Sequence, residues 1–127
     1  MAVPGLHIPV DMELKRAFQE LQTKTIESTQ KIKIADIQVE GLRRSIQHSK
    51  LTDQEISTLP ADVRTYEGVG RMFILTPTPD VRLNLEKKIK NADEKIKTLE
   101  NNKSYLERSL KESEDNIREM VFAKQAK

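Results

Sequence analysis

The stretch YEGVGRMFIL, residues 66–75, decides the fold, because it interrupts a sequence that otherwise has the pattern of long helices. Residues 64–69 and 72–76 read as two short strands on either side of Gly70-Arg71. A glycine at this place can take the positive φ that a two-residue hairpin turn requires. We therefore predict an antiparallel hairpin that ends at Pro77, since proline has no N–H for a β-ladder.

The second predicted strand is apolar on both faces. Successive strand residues point to opposite sides, and four consecutive apolar residues occur here: Met72, Phe73, Ile74 and Leu75. One hairpin cannot bury both faces, and a pair of helix ends is too narrow to sandwich it. We expect strands of other chains to cover it, which would make the chain a subunit of an oligomer. The alternative is that the strand packs only on its own helix ends, which would leave a large apolar patch exposed.

Two proline-free stretches flank the hairpin and carry heptad patterns of apolar residues. We predict helix 1 over residues 12–50 and helix 2 over residues 80–124, with a flexible N-terminal arm over residues 1–11. A short helical turn, capped by Thr52, and the hairpin occupy residues 51–79. The heptad positions of each helix form a seam along one of its sides. The seam of helix 1 comprises Leu14, Phe18, Leu21, Thr25, Ser28, Ile32, Ala35, Val39, Leu42, Ile46 and Ser49. The seam of helix 2 comprises Leu85, Ile89, Ala92, Ile96, Leu99, Lys103, Leu106, Leu110, Ser113, Ile117 and Met120.

The two seams have the same number of layers, and this predicts that the helices pair with each other. If Leu14 faces Met120, then Thr25 faces Leu110, and no layer joins two polar residues. The sequence therefore predicts a mainly α protein, a long antiparallel two-helix coiled coil with a central β-hairpin that joins strands of other chains. All 127 residues form one such subunit.

Composition argues against several classes of function. The 22 Lys and Arg and 20 Asp and Glu leave a formal charge of +2, and the two signs are interspersed, which gives no basis for a nucleic-acid partner. The chain has no cysteine, and its only histidines, His7 and His48, are far apart in sequence, so we predict no enzyme, no cofactor and no metal. No apolar run approaches the roughly 18 residues of a membrane span, so we expect a cytoplasmic protein without a membrane partner.

A second apolar surface is predicted at the helix ends remote from the hairpin. The arm carries Leu6, Ile8 and Val10, and the last turns of helix 2 carry Val121 and Phe122, which lie off the seam. At least part of this surface should face water and be available to a partner. The alternative is a hydrophobic staple that closes the helix ends.

Several segments resemble the β-class subunits of the prefoldin family. Residues 66–75 resemble the central hairpin of that family. Further resemblances follow the family order and cover nearly the whole chain: DMELKRAF (11–18), ADIQ (35–38), LTD (51–53), KSYLERS (103–109) and EDNIREM (114–120).

The resemblance implies a chaperone assembled from α-class and β-class prefoldin subunits, a heterohexamer whose hairpins join in a double β-barrel. It implies that coiled-coil tips capture nonnative proteins, actin and tubulin among them, without ATP and deliver them to the cytosolic chaperonin. Carried onto this sequence, the subunit interface comprises Tyr66, Val69, Met72, Phe73, Ile74 and Leu75, and the client-binding tip comprises Leu14, Phe18, Met120, Val121 and Phe122. A client role for Leu6, Ile8 and Val10 rests on their apolar character.

A structural coiled-coil tether or scaffold protein is the alternative function. The helices alone would permit it, whereas a tether has no need of a strand that is apolar on both sides.

Overall fold

The computed structural model describes the backbone of residues 4–125 and the side chains of residues 12–125. Two long helices flank a short hairpin, in the order α1 (Pro4–Ser57), β1 (Tyr66–Val69), β2 (Met72–Leu75) and α2 (Thr78–Gln125). This order confirms the mainly α fold and the central hairpin. The chain forms two compact units, one of Ile37–Glu100 and the other of the flanking segments, up to Asp36 and from Asn101.

In the unit Ile37–Glu100, the two helices pack antiparallel through a thin apolar seam. Val39 on α1 and Ala92 and Ile96 on α2 are buried, as their heptad positions predict. Two ion pairs cross between the helices, Arg43 Nη2 to Glu100 Oε1 at 2.9 Å and Arg82 Nε to Asp53 Oδ1 at 2.9 Å. Such exposed pairs add little stability, so apolar burial along the seam holds the helices together.

The flanking unit has the same antiparallel arrangement. As α1 advances from Glu13 to Asp36, its ion-pair partners on α2 move back from Lys124 to Lys103. Between these pairs, Lys24 Nζ donates to Ser113 Oγ at 2.6 Å and to the Ser109 carbonyl at 3.2 Å. These bonds place Thr25 level with the turn that contains Leu110, as the predicted pairing requires.

The predicted seam is confirmed on α2 and needs one correction on α1. All eleven seam positions of α2 are buried or half-buried, and so are ten of the eleven on α1. Phe18 is the exception, because 48 % of it is exposed, whereas Ala17 is half-buried. Spacings of three and of four both fit a heptad, and the smaller side chain occupies the contact here, which turns the phenyl ring outward.

Ser49 is the most deeply buried side chain of the seam and has an unusual environment. It is 1 % exposed, and its hydroxyl has no hydrogen-bond partner among the described residues. A buried hydroxyl without a partner costs about 1–3 kcal/mol. Its small volume, not its polarity, therefore explains why it fits this layer.

α1 runs past the short capped turn that was predicted after residue 50. Thr52 Oγ1 donates to the His48 carbonyl at 2.9 Å, so Thr52 lies inside a continuous helix and does not cap a new one. Thr52 does not begin a new helix because Asp53 and Ile56, which follow it, are half-buried at the end of the seam. Packing of these two side chains favours continuation of α1. The helix ends at Ser57, and the Leu59 amide donates to the Ile56 carbonyl at 3.1 Å just before Pro60.

The N-terminal bounds of both helices also differ from the prediction. The α1 backbone begins at Pro4, within the segment expected to be a flexible arm, and α2 begins at Thr78, before Pro79. Pro4 and Pro79 lie in the first turns of their helices, where proline is compatible because the N–H it lacks would have no partner. Pro9 is the sixth residue of α1, beyond the first turn, and this rule does not account for it.

The hairpin turn at Gly70-Arg71 has the predicted geometry. Gly70 has φ of +62°, and no non-glycine residue in the described part of the chain has a positive φ. Positive φ at the first central position alone is typical of a type II′ turn, whose twist matches that of the flanking strands. The strands pair Tyr66 with Leu75 and Val69 with Met72.

Gly70→Ala is expected to destabilise the hairpin. An L-residue at this φ costs on the order of 1–3 kcal/mol, so amide hydrogen exchange in the two strands should accelerate about tenfold or more. Gly68→Ala is the matched control, since a Cβ there would meet the Phe73 ring at 3.7 Å, an ordinary contact. Similar acceleration in both variants would contradict this account of the turn.

Candidate functional site

The hairpin presents two apolar faces, which follow from the strand register. The pairs Tyr66–Leu75 and Gly68–Phe73 lie on one face, and Glu67–Ile74 and Val69–Met72 lie on the other. On the first face the Phe73 ring lies beside Gly68, which has no side chain to compete for the space.

All six predicted interface residues are exposed in the single chain. Phe73 is 78 % exposed and Met72 65 %, and even the least exposed of the set, Ile74, is 48 % exposed. The remaining exposed fractions are Tyr66 54 %, Val69 50 % and Leu75 58 %. The helix ends therefore do not cover the hairpin, and the prediction that β2 is apolar and open on both faces is confirmed.

Polar contacts anchor the base of the hairpin to α2. The Thr76 amide donates to the Thr65 carbonyl at 2.9 Å, and Thr65 Oγ1 lies 3.4 Å from Thr78 Oγ1 at the start of α2. Asn84 Nδ2 donates to Glu67 Oε1 at 2.9 Å, which ties one side chain of the second face to α2. The hairpin is thus held to the start of α2 by polar contacts, while its apolar side chains stay exposed.

An ion pair reinforces the helices next to this base. The Asp53 carboxylate accepts a hydrogen bond from Arg82, and this bond and the carboxylate charge raise the pKa of Arg82 above its ordinary value. Arg82 therefore stays charged at any physiological pH.

The outer edge of each strand is also open. The sheet has two strands, so in the described part of the chain each strand pairs along one edge only. The free N–H and C=O groups can accept strands from other chains. The hairpin therefore combines two apolar faces with two open strand edges, and these are the features that pairing with strands of other chains requires.

The helix tip carries a smaller apolar surface. Phe122 is 67 % exposed and Phe18 is 48 % exposed, while Leu14, Met120 and Val121 are half-buried. The structure brings these residues together at the open end of the flanking unit, where Lys124 Nζ lies 3.7 Å from Glu13 Oε2. The side chains of Leu6, Ile8 and Val10 lie outside the described residues.

Met12, at the start of the same helix segment, is also exposed, at 54 %. The sequence places it beside Leu14 in the chain, but residues two apart on a helix point to different sides, so Met12 widens the apolar surface around the tip instead of joining the face of Leu14. The tip residues combine thioether, aliphatic and aromatic groups, which adapt to apolar partners of varied shape.

Neither the hairpin nor the tip contains a His or Cys side chain among the described residues. Across the part of the chain that the structure describes, no three His, Cys, Asp or Glu side chains are close enough to hold a metal ion. None of its helices is both long and apolar enough to cross a bilayer. The two surfaces can bind apolar groups and strands.

Comparison with known proteins agrees with this geometry. A family model described as "Prefoldin subunit" matches residues 19–124. Prefoldin subunit 1 of Homo sapiens is 58 % identical over 118 residues, which cover 93 % of this chain and 97 % of the human protein. Prefoldin subunit 1 of Danio rerio is 52 % identical with the same coverage, and that of Arabidopsis thaliana is 32 % identical over 87 % of both chains.

A solved structure shares the fold. The crystal structure of the prefoldin beta subunit from Thermococcus strain KS-1 matches with a TM-score of 0.69, covering 84 % of this chain and 90 % of that one. Its sequence identity of 21 % supports similarity of fold alone. Membership of the prefoldin family, whose members are chaperone subunits and not enzymes, was predicted from the resemblance. The relatives confirm that prediction. With the family model matching most of its length, the chain belongs to the prefoldin subunit family.

Proposed function

We propose that the chain is a β-class subunit of a heterohexameric, ATP-independent chaperone, whose hairpin joins the subunits and whose helix tip holds nonnative proteins. The exposure of β2 on both faces carries this proposal, since Met72, Phe73, Ile74 and Leu75 are all at least 48 % exposed in the single chain. Apolar burial stabilises by roughly 25 cal/mol per Å², so a structure that covers these side chains gains substantially over the free chain.

Assembly would proceed by strand addition. Strands of neighbouring subunits would pair with the open edges of β1 and β2, and their side chains would cover the apolar faces in a β-barrel that has no free edge. The type II′ turn and the threonines at the hairpin base pre-organise the two strands, which lowers the entropy lost on assembly.

Client capture would depend on several tips acting together. Each tip exposes a few apolar side chains, so a single contact is weak. When one tip is occupied, the others are held at high effective concentration near the same client, and the combined affinity exceeds that of any single tip. Binding then needs no ATP, because the apolar surface of the nonnative protein supplies the free energy.

The resemblance and the similarity to Prefoldin subunit 1 support the finer parts of the proposal. The clients would include actin and tubulin, the receiving machine would be the cytosolic chaperonin, and the location would be the cytoplasm. A coiled-coil scaffold is less favoured, because nothing in that function accounts for a hairpin open on both faces.

Native mass spectrometry tests the assembly directly. Mixed with α-class and β-class prefoldin subunits, the chain should enter a single heterohexamer, and that complex should suppress aggregation of a denatured client without ATP. A chain that forms only homodimers through its helices, whatever subunits are added, would favour the scaffold function.

A further inference from the structure

The two flanks of the helix pair in the unit Ile37–Glu100 differ in their charges. One flank carries the ion pairs of Arg43 with Glu100 and of Arg82 with Asp53. Arg82 and Glu100 are eighteen positions apart, or five helical turns, so they lie on the same side of α2. On this flank, cations and carboxylates neutralise one another.

The other flank is an open groove of polar and apolar residues, with three lysines along its length. The groove has a volume of about 810 Å³, and Lys95 lies on its α2 wall. It continues toward the hairpin past Lys87 and Lys88, both of which are exposed. None of the three lysines forms an ion pair with another described residue, and Glu94 is the one carboxylate in the lining. This flank therefore has an uncompensated positive charge.

Gly41 opens the α1 wall of the same groove. A Cβ added there would meet no atom within 4 Å, and the φ of Gly41 is not positive, so neither packing nor backbone conformation requires a glycine. Glycine inside a helix also weakens it relative to alanine. Leu42 and Leu99 line the same groove. The absence of a side chain at Gly41 leaves a gap with room for a side chain from outside the molecule.

We propose that this groove docks an acidic, partly apolar segment of another protein. Carboxylates of that segment would lie over Lys87, Lys88 and Lys95, and an apolar side chain would enter the gap at Gly41 over Leu42 and Leu99. The groove shares no residue with the hairpin interface or the helix tip, so loss of binding at the groove can be told apart from failure of assembly, which native mass spectrometry reports.

The lining favours an acidic peptide over other anionic or helical partners. Nucleic acid is disfavoured because the groove has no aromatic ring for base stacking, and its lysines are point charges without the fork of arginine. A second copy docking by two-fold symmetry would bring the same lysines against each other, and like charges repel. Carboxylates match the lysines, and an apolar side chain matches the gap.

The test uses the chain assembled with its partner subunits and a short labelled peptide in which pairs of glutamates alternate with pairs of leucines. Fluorescence anisotropy should show binding that weakens as salt rises. The triple variant Lys87→Gln, Lys88→Gln, Lys95→Gln should lose about tenfold or more in affinity, since three contacts of modest strength act together. Gly41→Leu should lose affinity similarly with no change of charge, because its side chain fills the gap.

The control variant is Lys50→Gln, Lys90→Gln, Lys97→Gln, which removes the same charge from exposed positions outside the groove and should change affinity little. Tyr105→Ser should bind the peptide normally, because Tyr105 is 64 % exposed on α2 but lies outside both the groove and the tip. Equal loss in the two triple variants, or equal binding of the peptide with glutamine for glutamate, would overturn the proposal. So would a single-stranded oligonucleotide that binds more tightly and loses affinity in the groove variant.

Discussion

Phe73→Ser is expected to abolish assembly. The ring is 78 % exposed in the single chain, and in the proposed barrel it would be buried by a neighbouring subunit. Truncating a buried phenylalanine costs about 3–5 kcal/mol, so the association constant should fall at least a hundredfold. Native mass spectrometry of the variant, mixed with partner subunits at micromolar concentration, should show mostly unassembled chain.

Phe122→Ser is the matched control for this experiment, since it removes the same ring from a position of similar exposure at the opposite end of the helices. It should assemble normally. Circular dichroism should show equal helix content in both variants, because neither ring lies in the helix seam. Normal assembly of Phe73→Ser would contradict the proposal that the hairpin is the subunit interface.

The paired substitution Val121→Ser with Phe122→Ser is expected to weaken client capture while leaving assembly intact. Phe122 is 67 % exposed and Val121 is half-buried beside it, so together they provide much of the apolar surface at the end of α2. Losing this contact from one tip also lowers the multivalent affinity of the whole assembly. The chaperone concentration needed to halve aggregation of a denatured client should rise by about tenfold, a loss of roughly 1.4 kcal/mol.

Tyr105→Ser provides the comparison, because Tyr105 is also on α2 and 64 % exposed but lies outside the tip. Its capture of clients should equal that of the unmodified chain. Phe122→Ser alone should have an intermediate effect, which separates loss of contact surface from any loosening around Val121. Undiminished suppression of aggregation by the assembled double variant would refute the tip assignment.

The extent of the helices was less predictable than their existence. Thr52 has the spacing of a helix cap, and sequence reasoning placed a break there, yet its hydroxyl bonds to the His48 carbonyl inside α1. Capping preferences are worth about 1 kcal/mol, and burial of the last turn outweighs them. Phe18 and Ala17 likewise could not be told apart from the sequence, because both fit the heptad. Packing against the facing helix decides which of the two lies in the seam.

The groove at Gly41 could not be predicted from the sequence. Within a helical sequence a glycine indicates only a locally weaker helix, and the lysines near it belong to a chain in which charges of both signs are interspersed. Whether a lysine or arginine forms an ion pair depends on which flank of the helix pair it occupies. Arg43 and Arg82 have such partners across the pair, whereas Lys87 and Lys95 do not.

The sequence by itself determined the two helices, their apolar seam and the hairpin with its turn at Gly70, because periods of about 3.5 and 2 residues and a positive φ are local properties of the chain. Only the tertiary structure decided where α1 ends, that Ala17 and not Phe18 faces α2, and which lysines line an open groove. These outcomes depend on side chains distant in sequence that compete for the same space or the same charge partner.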